Sequence, residues 1–236
     1  GENVVLQKEG EELRRVPLHN LEGIVAFGYT GASPALMGAC ASRGVALSFL
    51  TMHGRFLARV VGEEQGNVVL RKTQYRVSDD PAASLAYARN MLIGKVYNSR
   101  QVVERALRDY ALRLDGEKLR RISGFLAESL NRLKDTAGLE ELRGVEGEAA
   151  ARYFAAADDL ILQQKEAFTF QGRSRRPPLD NCNALLSFVY TLLSHDTAAA
   201  LSSVGLDPYV GFLHRDRPGR RSLALDLMEE MRPVLA

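Results

Sequence analysis

Three short segments carry one histidine and several carboxylates in contexts that can aim them at a shared point: Gly144-Val145-Glu146-Gly147, Gly211-Phe212-Leu213-His214 and Asp226-Leu227-Met228-Glu229-Glu230. Carboxylate oxygens are hard ligands suited to Mg²⁺ or Mn²⁺, and a single imidazole shifts the balance toward Mn²⁺. A site with about three protein ligands leaves coordination positions open for water and phosphate, which is the arrangement of a reactive centre. Asp226 and Glu229 are three apart and share one helix face, so both can address one ion, or one can ligate while the other holds a bound water. Glu230 is rotated onward by about 100° and is expected to face solvent. Glu146, between two glycines, is expected at a helix start, where a capping or dipole-favoured role worth under about 1 kcal/mol is the alternative to metal ligation.

The words around these residues are more specific than the residues alone. Leu142-Arg143-Gly144-Val145-Glu146-Gly147 is followed by Ala149-Ala150-Ala151-Arg152-Tyr153-Phe154, then by Gly205 to His214, then by Ser222 to Pro233. In that order they resemble the CRISPR-associated spacer-acquisition endonuclease and integrase family, and the likeness extends over nearly the whole chain. The resemblance implies a metal centre of Glu146, His214 and Glu229 holding Mn²⁺ or Mg²⁺, with Asp226 as the second carboxylate of the catalytic set. It implies insertion of foreign DNA segments into a CRISPR array by attack of a 3′-hydroxyl on a phosphodiester. It further implies a homodimer and a small ferredoxin-like adaptation partner protein. Members of that family continue at both ends, so this chain is expected to lack its first strand and to be trimmed at its end. Two other readings stay open: a general metal-dependent nuclease or phosphodiesterase, and a non-enzymatic helical interaction module in which the three residues cap and salt-bridge.

The formal net charge is only +2, with 9 Lys and Arg against 7 Asp and Glu in residues 1–76 and 22 against 22 thereafter. A polyanion partner therefore has to be read from clusters. Arg173, Arg175 and Arg176 precede Pro177-Pro178, and Arg215, Arg217, Arg220 and Arg221 crowd the stretch between His214 and Asp226. Guanidinium forks match phosphate oxygens in geometry and charge. Arg173, Arg175, Arg176, Arg217, Arg220 and Arg221 are thus expected to contact DNA phosphates, the bland alternative being a solvated basic loop. Without interleaved aromatics, the clusters suit double-stranded and branched DNA held without regard to sequence.

Periodicity supplies the elements that must position these groups. Residues 3–28 alternate short apolar runs with polar turns and are expected to form hairpin strands. Ser33-Pro34 caps a short helix that Gly44 stops; strands follow at 46–51 and 56–61 around a turn with Gly54 at positive φ, and a further strand is expected at 67–70. A linker is expected at 71–78. Asp79-Asp80-Pro81 then opens a helix running to about Tyr110, with others at about 115–136, 146–164, 181–204 and from Ser222 onward. The fold class is α+β: a small amino-terminal β-rich domain over 1–75, expected to dimerise, followed by a larger all-α catalytic domain over 76–236. Cys40 and Cys182 are expected as small buried hydrophobes, His19 and His53 as turn or surface residues, and His195 as a hydrogen-bonded core histidine. No apolar run approaches the roughly 20 residues that span a bilayer, so a cytoplasmic protein is expected.

Overall fold

A computed structural model describes residues 2–63 and 66–235, and the chain divides into two compact units, residues 1–66 and 67–236. The first is β-rich. Strands β1 (Asn3–Lys8) and β2 (Glu11–Pro17) form an antiparallel hairpin whose turn uses positive φ at Glu9 and Gly10. Strand β3 (Gly23–Phe27) instead pairs in parallel with β4 (Ala46–Leu50), and β4 pairs antiparallel with β5 (Phe56–Val60). A parallel pair needs a crossover, and helix α1 (Pro34–Arg43) supplies it. Its signals work as expected: Ser33 Oγ accepts from the Leu36 amide, and Gly44 closes the helix at φ 68°. Val4, Leu18, Cys40 and Leu47 form the core of this unit.

The second unit is helical: α2 (Val68–Asp79), α3 (Pro81–Asp109), α4 (Gly116–Asp135), α5 (Leu139–Phe154), α6 (Ala157–Leu160), α7 (Asn181–Ser203), α8 (Ser222–Met228) and α9 (Arg232–Leu235). Asp80 and Asp115 cap α3 and α4 through their side chains. Leu92, Val96 and Val103 of α3, Leu119, Leu126 and Leu133 of α4, and Leu142, Val145 and Ala149 of α5 bury one continuous core that also takes in Leu213. Three expectations are corrected here. The strand at 67–70 and the linker at 71–78 are both helix α2: Asn67 Oδ1 caps the Leu70 amide at 3.0 Å, and buried Gln74 fastens the helix to the segment at 207–210, so tertiary hydrogen bonding outweighs the β preference of Val68-Val69. Glu146 lies inside α5 rather than at a helix start, because burial of Leu142, Val145 and Ala149 outweighs the roughly 1 kcal/mol helix penalty of a glycine. Helix α7 is by length and composition apolar enough to cross a membrane. Ser187, Thr191, Ser194, His195 and Asp196 interrupt its apolar run, and its buried Ala198 and Leu201 share a core with Leu223 and Ala224 of α8.

Candidate active site

The site lies where α3, α5, the segment at 211–221 and the end of α8 meet. Asp226, fully buried on α8, organises it. Its Oδ2 accepts from the amides of Phe212 at 2.7 Å and Leu213 at 2.8 Å, and its Oδ1 accepts from the His214 amide at 3.0 Å. Oδ1 also meets His214 Nδ1. With Nδ1 donating to Asp226, the imidazole presents Nε2 as its free lone pair. Asp226 is therefore committed to loop and imidazole, the supporting member of the Asp226–Glu229 pair. Gly211 makes the approach possible: a Cβ there would lie 2.7 Å from Asp226 Oδ2 and 2.8 Å from Ser222 Cβ.

Glu229, one turn past Asp226, is buried at 4% exposure. Burial pushes its carboxyl up, but Lys95 and Arg232, with a further contribution from His214, hold it below the usual carboxylate range. Lys95 Nζ lies 2.6 Å from Glu229 Oε2 and also contacts Glu146 Oε1, while Arg232 Nη1 contacts Glu229 Oε1. Burial presses the Lys95 ammonium toward neutrality, yet Glu229 and Glu146 outweigh it and raise its pKa. The carboxylates of Glu146 and Glu229 thus converge on one cation. Glu230 is not turned to solvent as expected: its carboxyl packs on Gly94 of α3, and burial raises its pKa.

Glu146, His214 and Glu229 together line two cavities, one of about 510 Å³ and one of about 670 Å³, which share Arg217 and Arg220. Among the described residues, no group of three His, Cys, Asp or Glu is arranged as it stands to hold a metal ion; the Lys95 ammonium sits between the two carboxylates instead. The donor set nevertheless fits a hard dication. Two carboxylates and one imidazole face shared space, and Glu146 Oε1 and Glu229 Oε2 already meet at a single positive charge.

The arginines divide. Arg175 and Arg176 line the larger cavity with Arg217 and Arg220. Arg173 is turned inward: Nη1 donates to Ser174 O at 2.6 Å and Asn183 Oδ1 at 2.7 Å, so it pins its loop to α7. Arg221 meets the ring of buried His195, 3.1 Å from Nδ1. Sequence reasoning missed Lys95 and Arg232. A signal existed for Lys95, which stands three residues after Leu92 and four before Ser99, at the edge of the buried stripe of α3.

A family model described as CRISPR associated protein Cas1 matches residues 1–236, and this chain belongs to that family. CRISPR-associated endonuclease Cas1 1 of Chlorobaculum tepidum is 52% identical over 235 residues, covering 100% of this chain and 68% of the relative. A chain of a Cas6-RT-Cas1–Cas2 complex aligns with a TM-score of 0.70 at 25% identity, over 99% of this chain and 25% of that one. A casposase bound to its integration product aligns with a TM-score of 0.68 at 28% identity, over 91% of this chain and 58% of that one.

Proposed function

We propose that this protein is a metal-dependent DNA endonuclease and integrase of CRISPR adaptation, which inserts foreign DNA segments into a CRISPR array in the cytoplasm. The observation that carries the reading is the convergence of Glu146, His214 and Glu229, from three separate stretches of chain, on a cavity rimmed by Arg175, Arg176, Arg217 and Arg220. The names of the relatives support cleavage, and the casposase bound to an integration product supports strand transfer over simple hydrolysis.

Glu146, His214 through Nε2, and Glu229 would hold Mn²⁺ or Mg²⁺. When bound, such an ion polarises a phosphodiester oxygen and lowers the pKa of the attacking hydroxyl. The chain's own groups do the rest. Asp226 keeps His214 in one tautomer and one orientation, the arginines hold the duplex by its phosphates and neutralise charge that builds at the scissile phosphorus, and the open cavity admits a branched substrate. Attack by a DNA 3′-hydroxyl forms the new phosphodiester and expels the opposite 3′-oxygen as the leaving group, so one bond forms for one broken. Integration at two points needs two such sites, which a homodimer through the β-rich unit supplies. The Cas1–Cas2 complex among the structural neighbours supports a small ferredoxin-like adaptation partner.

The test is strand transfer on a branched duplex with Mn²⁺. Wild type should join and cleave, and Glu146→Ala, His214→Ala and Glu229→Ala should each lose both activities. Cleavage without joining by the dimer, with its partner present, would leave an ordinary phosphodiesterase. Full activity in any variant would remove that residue from the centre.

A further inference from the structure

Lys95 stands where the charge of a metal ion would stand. Its ammonium reaches across from α3 to touch one oxygen each of Glu146 on α5 and Glu229 after α8, while the other Glu229 oxygen is engaged by Arg232. The ammonium is thus the only group that bridges the two carboxylates among the described residues. With a side chain 14% exposed, Lys95 places one positive charge between two acids that would otherwise repel each other.

We propose that Lys95 is a resident stand-in for the divalent ion, which must displace the ammonium to bind, so that Lys95 sets how tightly the centre takes its metal. The proposal rests on the reading of Glu146 and Glu229 as metal ligands. A dication at the same point interacts about twice as strongly with each carboxylate as an ammonium does, so exchange is favourable once the ion's water is replaced by protein ligands. The displaced side chain has somewhere to go. Lys95 lines the cavity of about 670 Å³ that also holds Arg175, Arg176, Arg217 and Arg220, so an ejected ammonium joins the basic rim. One movement would then load the metal and add a positive charge where DNA phosphates lie.

The experiment compares Mn²⁺ binding by wild type and Lys95→Met, read as loss of the free Mn²⁺ electron paramagnetic resonance signal. Methionine keeps the length of the stem and removes the competing charge, so affinity should rise at least about tenfold, while the metal-free variant melts lower than wild type. A second measurement uses the unaltered protein: acetylation of Lys95 by a small amine-reactive reagent, followed by mass spectrometry, should increase on adding Mn²⁺ relative to exposed Lys134. Binding by wild type with equal or weaker binding by Lys95→Met would overturn the proposal and leave the metal reading intact, as would labelling of Lys95 that ignores Mn²⁺. Absence of Mn²⁺ binding in both proteins would overturn the proposal and the metal reading together.

Discussion

At the scale of single residues, the site is a balance of buried charge. Glu229 remains anionic inside the protein because Lys95 and Arg232 face it. Removing one member of a buried pair leaves the other uncompensated, which costs about 3–5 kcal/mol; Glu229 keeps Lys95 when Arg232 is removed, so Arg232→Ala should lower the unfolding free energy read from urea melts at neutral pH by less than that range. Because the folded protein holds the Glu229 carboxyl below its ordinary pKa, its contribution is complete above about pH 4.3 and is lost as acid protonates it. Stability of wild type should therefore fall on the acid side more steeply than that of Glu229→Gln, as urea melts at pH 7 and about pH 3 would show. Asp226→Ala should reduce metal affinity and strand transfer about 10- to 100-fold, and should also cost about 3 kcal/mol or more because three amides lose their acceptor. Equal stability of that variant and wild type would mean that the 212–214 amides find other partners. The candidate acids and histidine were legible because their local words are distinctive. Their resident cations were not, since Lys95 is 51 residues from Glu146 and such pairing leaves no trace in local spacing.

At the scale of elements, punctuation was read well where a side chain caps its own helix and poorly where a distant element decides. Ser33, Asp80 and Asp115 accept from amides two or three residues on, so the starts of α1, α3 and α4 are written locally. Gly144 and Gly147 looked like breakers beside Glu146, yet nothing lies within 4 Å of a Cβ at either position, and the core below keeps them helical. Replacing Gly144 by Ala should therefore stabilise α5 by up to about 1 kcal/mol, whereas Gly211→Ala drives a methyl into Asp226 and the Ser222 backbone and should destabilise by about 1–3 kcal/mol. Thermal melts of the two variants should move in opposite directions.

At the scale of the whole molecule, the near-neutral net charge conceals a basic rim on one cleft. Each real phosphate contact releases a counterion, so Arg217→Ala with Arg220→Ala should flatten the slope of log affinity against log salt by roughly two and weaken unrelated duplexes alike. Arg173→Ala should act mainly on stability, since Asn183 and Ser174 hold its guanidinium. The α+β division was visible in the change of period along the chain. The exact seam was not, because the residues that make α2 helical answer to partners more than 130 positions away.

That seam has a practical side. Arg71 donates to Gly205 O, Gln74 donates to Asp207 O and Val210 O while accepting from the Asp207 amide, and Tyr75 donates to Asp207 Oδ2. The stretch that ends in His214 is thus laced to the first helix of its unit. A shortened protein started at Arg76 would leave those carbonyls without their donors, whereas one started at Asn67 would keep every lace. Hydrogen exchange at the amides of 207–214 should be fast in the first and slow in the second, although both would carry all four residues of the proposed catalytic set.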